Sequence, residues 1–328
     1  MTTISGSSPD QNWRDWFQAA DRLPEDATNR QRQQRGRQFE KFLVGMFAAE
    51  GLDPRRTSFR PAGEEIDGSI WFEGRTILFE AKWTADPHPA SSIYQFKGKV
   101  DGKLVGTVGL FISMAGFSTD AVDALVAGKD VNVILADGDD LRSIVSGEDT
   151  AKAMLRHKLR AAGETGAVFS PANVRLRGRR MVFVEGRFDE RILGLLREAC
   201  GAADDVTVIP TGGPMNMIPL IESILLIADG PIELTAIIDG NNPGFKRYST
   251  DLRDFFDSLN SGLRADTVAK LVVLTPDLDS AFGLVAEGSS WSDRKRLRRY
   301  RDDELKRLLA QQPFTPEVTD LLRAIGIM

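Results

Sequence analysis

Two charged side chains stand close together in an otherwise apolar stretch, residues 77–83, whose sequence is ILFEAKW. Its aromatic and β-branched residues favour a buried strand. Side chains two positions apart on a strand share a face, so Glu80 and Lys82 point the same way. The carboxylate could bind a cation while the ammonium faces an anion. The alternative is a solvated ion pair on an edge strand, which contributes little.

A second carboxylate precedes this strand by one predicted hairpin. Asp67 lies in the strand-like run EEIDGSIWFE, and the turn EGR leads into the next strand. Adjacent antiparallel strands can bring Asp67 close to Glu80 across the ladder. Two convergent carboxylates with a main-chain carbonyl make an all-oxygen site suited to Mg²⁺, or to Mn²⁺ in its place. Such a metal activates water and stabilises charge on a phosphate, and Lys82 could orient that water.

The elements that must position these residues are predicted in the order helix, strands, helix, strand. Apolar residues at helical spacing predict a helix from about residue 28 to 50, and Glu40 on it could add a carboxylate. The strand-like runs are TSFR, EEIDGSIWFE, RTILFEAKW, TVGLFIS and VNVILAD, with a helix at 118–128 between the last two. This order predicts an α/β sandwich.

These pieces, taken together, resemble the Mrr-type restriction endonucleases of the PD-(D/E)xK nuclease superfamily. The matching segments are RGRQFEKFLVGMF, EEIDG, FEAKW, YQFKGKV, and GLFISMAGFSTDAVDAL followed by VILADGDDL, over roughly residues 30–148. The resemblance implies a restriction-endonuclease-like α/β/α core and Mg²⁺-dependent hydrolysis of DNA phosphodiesters. It also implies roles by position: Asp67 and Glu80 as metal ligands, Lys82 as catalytic, Gln95 as the helix glutamine and Glu40 as the acid of the first helix. Ile66 stands where the superfamily name has proline.

A second alternation of strands and helices starts near residue 180 and predicts a parallel α/β sheet. Its order is strand MVFVEG, helix RFDERILGLLREAC, strand DVTVIP, loop TGGP, helix MNMIPLIESILLIA, strand ELTAIIDGN, a further helix and strand KLVVLTPD. Ligands bind beyond the carboxyl ends of strands in such sheets. Glu185 and Asp239 lie at those ends and could share one Mg²⁺, while the N–H groups of TGGP could approach a phosphate.

The VEGxxD element, the GG loop and IIDGN resemble, in that order, a TOPRIM domain, the fold shared by topoisomerases, primases and OLD-type nucleases. The resemblance covers about residues 180–280 and includes Asp189 within VEGxxD. It implies that Glu185 is an acid/base residue and Asp239 the first aspartate of a DxD metal motif. Asn241 replaces the second aspartate, which weakens the charge available for Mg²⁺. The alternative to an active centre is therefore a degenerate DNA-binding or assembly module.

Two basic segments, RLRGRR at 175–180 and RKRLRRYR at 294–301, could contact DNA phosphates by charge, as could KGK at 97–99. The alternative for each segment is a solvated linker, turn or helix face. The last basic segment is predicted to lie in one charged helix, DRKRLRRYRDDELKRLLAQQ. The candidate DNA-binding residues are Lys97, Lys99, Arg177, Arg179, Arg180, Arg296, Arg298 and Arg299.

Length and composition limit the classes of protein. The 328 residues predict about two domains, divided as a lead-in (1–27), an Mrr-like nuclease domain (28–160), a basic linker (161–180) and a TOPRIM-like domain (181–328). The single Cys200 excludes a disulfide framework and fits a reducing cytoplasm. No stretch of 18 apolar residues occurs, so no membrane partner is expected. A net charge of -5 restricts nucleic-acid contacts to local patches.

The expected function is that of a cytoplasmic Mg²⁺-dependent DNA endonuclease in restriction or anti-phage defence, a role implied by the family resemblance. The alternative is a sensor of DNA ends or DNA structure that binds without cutting, as a subunit of a larger complex. The expected partners are DNA, a second copy of the chain and a separate ATPase or other defence subunit. A separate ATPase is considered because OLD-type enzymes usually carry one and no P-loop occurs here.

Overall fold

The computed structural model describes residues 9–22, 27–56, 66–127, 130–172, 179–201, 205–228, 231–263, 267–286, 288–311 and 313–328. The chain divides into two compact units, a first unit of residues 1–173 and a second unit of residues 174–328. Each unit contains a four-stranded sheet. In the described ranges, no helix has both the length and the apolar character needed to cross a membrane.

The first unit is a mixed sheet with helices. Its described strands and the helices predicted near 28–50 and 118–128 follow one another as predicted, with further helices before, between and after them. It consists of α1 (Pro9–Asp21), α2 (Asn29–Ala49), β1 (Gly68–Phe72), β2 (Arg75–Lys82), α3 (Ala90–Asp101), β3 (Val108–Ser113), α4 (Thr119–Val126), β4 (Val133–Asp137), α5 (Gly138–Ser146) and α6 (Ala151–Thr165). The strand order is β1-β2-β3-β4; β1 is antiparallel to β2, and the others are parallel. The predicted strand TSFR lies outside the described residues.

Helix α2 begins with a capping box, in which Thr28 accepts a hydrogen bond from the N–H of Gln31 and Gln31 accepts one from the N–H of Thr28. This exchange satisfies two donors that would otherwise be unpaired at the start of the helix. The helix buries an apolar stripe against the sheet, formed by Phe39, Phe42, Leu43, Met46 and Phe47.

The expected polar lead-in is wrong for residues 9–21, which form α1 and belong to the core of the first unit. Phe17 is buried, and its ring lies 4.9 Å from that of Phe42 on α2. Arg14 donates a hydrogen bond of 2.6 Å to the carbonyl of Val145 at the end of α5. The aromatic residues of this segment therefore serve packing, which its mainly polar composition had concealed.

The end of the first unit also differs from the expected linker at 161–180. Helix α6 continues to Thr165, and Val168 and Phe169 are buried. The N–H of Leu135 on β4 donates to the carbonyl of Val168 at 3.0 Å, which adds this segment to the edge of the sheet. Residues 161–172 are thus part of the first unit, because apolar side chains of this segment are buried in its core.

The second unit is a parallel sheet, as the sequence predicts. It consists of β5 (Arg180–Val184), α7 (Arg187–Cys200), β6 (Val206–Pro210), α8 (Met217–Leu225), β7 (Ile232–Asp239), α9 (Pro243–Ser258), a π-helical turn (Leu259–Leu263), β8 (Thr267–Leu274), α10 (Leu278–Ala281), α11 (Trp291–Leu297), α12 (Asp302–Leu309) and α13 (Pro316–Ala324). The strand order is β6-β5-β7-β8. The chain therefore reverses its direction of progress across the sheet between β5 and β7, and such a switch point opens a crevice at the carboxyl ends of the strands.

The prediction of a single charged helix near the end of the chain is wrong, because the segment forms α11 and α12 with a break between them. Glu304 accepts a hydrogen bond of 2.8 Å from the N–H of Arg301, which starts a new helix there. Leu297 and Leu305, on either side of the break, are both buried in the core of the second unit. The turn lets two short amphipathic segments each bury an apolar residue.

Candidate active sites

The strand register places Asp67 next to Glu80. Gly68 pairs with Phe79 in the antiparallel β1–β2 ladder, and Asp67 is the residue just before β1. A Cβ at Gly68 would overlap the Phe79 ring, so a glycine at this position allows the chain to approach β2 closely. Asp67 accepts a hydrogen bond of 2.8 Å through its Oδ2 from the N–H of Ala81. The hairpin therefore fixes this carboxylate at the carboxyl end of β2.

Both oxygens of Glu80 contact ammonium groups. Oε1 lies 3.1 Å from Nζ of Lys82, and Oε2 lies 2.7 Å from Nζ of Lys99 on α3. Glu80 is 9% exposed, whereas the side chain of Lys82 is 36% exposed. The site therefore combines two carboxylates and two ammonium groups.

The ionisation of the site reflects burial and the balance of these charges. Burial raises the pKa of Asp67, and the charge of Glu80 raises it further, while the Ala81 N–H, Lys82 and Lys99 lower it. A bound cation close to this carboxylate would favour its charged form. Asp67 thus has the electrostatic character of a group that gains from an additional positive charge.

Lys99 was expected on a DNA-binding surface, but the structure places it in the carboxylate site. Gln95 lies four residues earlier on α3, on the same side of the helix, and is exposed. Lys97 is engaged elsewhere: its Nζ lies 2.9 Å from both Asp101 and Asn132. In the sequence, the four-residue spacing of Gln95 and Lys99 indicates that they lie on the same side of a helix. It does not indicate that this side of the helix contacts Glu80.

Helix α2 reaches the same end of β2 through an aromatic contact. The rings of Phe39 and Trp83 lie 4.9 Å apart, and Trp83 directly follows Lys82. Glu40 is the next residue on α2 and is half-buried. Its part in the site stays a prediction.

The donor set suits a divalent cation. Asp67 just before β1 and Glu80 on the neighbouring β2 offer carboxylate oxygens, and a main-chain carbonyl and water would supply the other hard ligands that Mg²⁺ prefers. Across the described part of the chain, no three His, Cys, Asp or Glu side chains form a cluster able to hold a metal ion. The two carboxylates fit a divalent cation such as Mg²⁺, and its remaining ligands must come from other oxygen atoms.

The second unit gathers carboxylates at the switch point of its sheet. Glu185 follows β5 and Asp239 ends β7, and these strands are neighbours. Glu185 is 5% exposed; its Oε1 accepts a hydrogen bond of 2.9 Å from the N–H of Asp239, and its Oε2 accepts one from Nδ2 of Asn242. The amide of Asn242, a residue that the sequence analysis did not single out, therefore orients the glutamate.

Asn241 was expected in the position of the second metal-binding aspartate, but the next residue, Asn242, is the one that contacts Glu185. Asn241 is exposed, and its N–H donates to the carbonyl of Pro276 at 3.1 Å. Asn242 also caps α9 by accepting from the N–H of Gly244 at 2.8 Å. The Asn–Pro sequence at the start of α9 was the signal that could have identified it.

Three further aspartates surround this pair. Asp189 accepts from the N–H of Gly186 at 2.9 Å, while Asp277 and Asp279 flank the start of α10. Arg294 on α11 lies 2.8 Å from Asp277 and 3.3 Å from Asp279. The cluster is thus partly neutralised by an arginine of the basic segment that was predicted to contact DNA.

Burial is the main electrostatic influence on these acids, and their mutual repulsion adds to it. Burial raises the pKa of Glu185 and of Asp189 well above the ordinary range. In both cases the negative charge of Asp239 raises the pKa further. Burial raises the pKa of Asp239 to about 6, against the lowering effect of a hydrogen bond from the N–H of Leu278. Glu185, Asp189 and Asp239 therefore disfavour being charged together, as is common for acids gathered at functional sites.

Replacing Asp239 with asparagine is expected to stabilise the second unit above pH 6 by on the order of 2–3 kcal/mol. The pKa of Asp239 is higher in the folded than in the unfolded chain, so the contribution of this residue to stability is largest below pH 4 and is lost as the pH rises through 6. Asparagine removes this loss and keeps an oxygen for the N–H of Leu278. Thermal unfolding in EDTA from pH 4 to 8 measures the difference in stability between the variant and the wild type. Asp254→Asn is the control, because Asp254 is exposed. A variant as pH-dependent as the wild type would contradict the assignment.

The other predicted DNA-binding arginines have varied surroundings. Arg180 pairs with Glu233 at 2.9 Å and with Asp205 at 3.4 Å, at the end of β5 opposite to Glu185. Arg298 lies 6.0 Å from the ring centre of Phe188, and its charge lowers the pKa of Asp189 and of Asp279. Arg298 is exposed, as are Arg179, Arg296 and Arg299. Arg177 lies outside the described residues.

Comparison with protein families gives a match in the first unit. Residues 31–145 match the Mrr_cat family model, described as restriction endonuclease. This range contains Asp67, Glu80, Lys82 and Lys99, and it covers about a third of the chain. Comparisons with the curated proteins and with the solved structures give no match. Residues 31–145 are therefore similar to restriction endonuclease domains of the Mrr type, and this similarity supports a nuclease of the restriction-endonuclease type.

Proposed function

We propose that this protein is a Mg²⁺-dependent DNA endonuclease that hydrolyses phosphodiester bonds in its first unit. The observation that carries the proposal is the meeting of Asp67, Glu80 and Lys82 at the carboxyl end of β2. These residues lie within the range that matches the restriction endonuclease family. The pattern of two carboxylates and a lysine suits chemistry on a phosphate, where negative charge increases in the transition state.

Each residue of the site has a distinct task in this proposal. Asp67 and Glu80 would hold the metal, which supplies an activated water and a positive charge beside the phosphate. Asp67 is held by the Ala81 N–H, so its second oxygen can face the metal. Lys82 is close enough to exchange its contact with Glu80 for one with the attacking water or a phosphate oxygen, since its side chain is partly exposed.

Incubation of the purified protein with supercoiled plasmid tests this function directly. We expect nicked or linear product with Mg²⁺ or Mn²⁺ and none with EDTA. Glu185→Gln tests whether the second unit contributes to the chemistry: full cleavage by this variant would confine catalysis to the first unit. A wild-type protein that binds the plasmid but leaves it intact with either metal would instead favour the non-cutting sensor.

Replacing Lys99 with alanine is expected to lower the half-saturating Mg²⁺ concentration for cleavage roughly threefold to tenfold. The ammonium of Lys99 lies 2.7 Å from Glu80, so it competes with a metal for the same oxygen. Lys97→Ala is the matched control, since Lys97 lies on the same helix but pairs with Asp101 and Asn132. Mg²⁺ titrations of the initial rate measure the effect. A higher or unchanged Mg²⁺ requirement for Lys99→Ala would show that the two cations do not compete.

For the second unit we propose a TOPRIM-like module that binds DNA. Glu185 and Asp239 at the sheet switch point support this assignment, as does the order of the VEGxxD element, GG loop and IIDGN. A specific observation favours binding over catalysis there: Arg294 already pairs with Asp277 and Asp279, and Asn242 already binds Glu185. This leaves the sensor function as the second candidate for this unit.

The proposed biological setting is restriction or anti-phage defence in the cytoplasm. The family match supports it through the class of enzyme, since restriction endonucleases act on DNA. A second copy of the chain and a separate ATPase or other defence subunit are the proposed protein partners. Size-exclusion chromatography of the isolated protein tests the first, and co-purification from the source cell tests the second.

A further inference from the structure

The buried stripe of α2 continues into two arginines. Positions 32, 35, 39, 42 and 46 are spaced by three and four residues, so they share one side of the helix. The last three are Phe39, Phe42 and Met46, which are buried in the core. The first two are Arg32 and Arg35, where a stripe that serves only packing would carry apolar residues.

The direction of α2 explains where these arginines lie. The ring of Phe47 is 5.4 Å from that of Phe79 in the middle of β2, and the ring of Phe39 is 4.9 Å from that of Trp83 just beyond its end. The helix therefore runs opposite to β2, and its first turns extend past the carboxyl end of the strand. Lys82 emerges at that same end.

Arg35 is fixed there by an aromatic surface. Its guanidinium lies 4.7 Å from the ring centre of Trp83, whose ring also packs against Phe17 and Phe39. Stacking on an indole holds the planar donors of an arginine in one orientation. Trp83 thus links the first helices, the end of β2 and the arginine.

The surroundings of Arg35 supply positive charge and little compensation. Its Nε is buried without a hydrogen-bond partner, and among the described residues no carboxylate forms an ion pair with it. Burial lowers the pKa of Arg35, and the charge of Arg32 lowers it further, while the charge of Asp21, which pairs with Arg142, raises it. Residues 29–39 contain four arginines and no acid, in a chain whose net charge is -5. An anion at this position would relieve both the repulsion and the burial.

We propose that Arg35, stacked on Trp83, binds a backbone phosphate of DNA and thereby places the strand against Lys82. Phosphate contacts of this kind fix the register of a nucleic acid without reading its sequence. Arginine suits the task because its planar fork matches a phosphate in two-pronged contacts. The inference rests on the proposed function in one respect, namely that DNA is the substrate of the first unit.

The test uses the full chain, a short fluorescent DNA duplex and Ca²⁺ in place of Mg²⁺, with anisotropy titrations at several salt concentrations. The variants are Arg35→Met and Arg35→Gln, which keep part of the packing on Trp83. Arg37→Ala is the matched control, because Arg37 is exposed and lies on the opposite side of the same helix. We expect both Arg35 variants to bind roughly tenfold more weakly, and the slope of log affinity against log salt to fall by about 0.9. Arg37→Ala should keep the wild-type affinity and slope.

The outcomes separate this inference from the proposed function. If the wild type binds and cuts DNA while the Arg35 variants retain its affinity and slope, the Arg35 inference is wrong and the function stands. An equal loss for Arg37→Ala would also overturn the inference, since it would show a diffuse charge effect. If the titration shows that the wild type binds no DNA, both the Arg35 inference and the proposed function are wrong. Melting temperatures identify a misfolded variant, and the other Arg35 variant then decides.

Discussion

Replacing Lys82 with alanine is expected to slow single-turnover cleavage of plasmid DNA by about 100- to 1,000-fold, with little loss of DNA binding. Lys82 is one of the two ammonium groups on Glu80, and it is the more exposed of the two, so it can turn towards substrate. A group that stabilises charge only in the transition state changes the rate far more than the affinity. Cleavage with saturating enzyme and anisotropy in Ca²⁺ measure the two quantities separately.

The matched control for Lys82 is Arg75→Ala. Arg75 begins the same strand, is exposed, and lies seven positions away at the opposite end of β2. The Arg75→Ala substitution removes one positive charge from the same strand, as Lys82→Ala does, but far from the site. We therefore expect this variant to cleave at a rate close to that of the wild type. Comparable rates for Lys82→Ala and the wild type would remove Lys82 from the chemistry, whatever the effect on binding.

The second large effect is on stability: Lys158→Ala is expected to destabilise the first unit by about 3–5 kcal/mol. The side chains of Lys158 and Asp140 are each 1% exposed, and Nζ lies 2.7 Å from Oδ2 of Asp140. The same Nζ donates to the carbonyl of Ser170 at 2.6 Å. Without the ammonium, the buried carboxylate of Asp140 loses its partner of opposite charge, although it still accepts from the N–H groups of Asp137 and Ala172. Losing that partner is the costly part of breaking a buried pair.

Urea unfolding followed by tryptophan fluorescence measures this loss, because four of the five tryptophans lie in the first unit. Lys152→Ala is the control, since Lys152 is an exposed lysine on the same helix α6. The double variant Lys158→Met with Asp140→Asn should recover part of the stability, because it removes both charges. A midpoint for Lys158→Ala equal to that of Lys152→Ala would mean that water reaches the pair.

The pairing of Glu80 with Lys82 follows from the sequence because it depends on local geometry alone. Alternation of side chains along a strand places residues two apart on one face, whatever the rest of the fold does. The proximity of Asp67 follows similarly from one short hairpin, and the β1–β2 register realises it. The parallel sheet of the second unit was predictable for a related reason, since a helix between successive strands favours a crossover connection.

Other expectations failed where composition hid packing. The segment 9–21 is mainly polar, yet its few aromatic residues bury against α2. The charged run near the end of the chain favours one long helix by local propensity, but the structure ends one helix at Leu297 and starts another after Arg301, and both buried leucines, Leu297 and Leu305, pack in the core. Propensity is a weak guide when tertiary contacts compete with it. The same competition placed residues 161–172 in the core of the first unit.

The sequence by itself determined which residues of one strand and its hairpin can act together. It also determined that the second unit forms a parallel sheet. Only the tertiary structure decided which distant side chains complete each site: Lys99 on Glu80, Arg35 on Trp83 and Asn242 on Glu185. The reason is physical. Strand and helix periodicities fix directions within an element, whereas contacts between elements depend on how helices pack on the sheet, and that packing is set by the whole core.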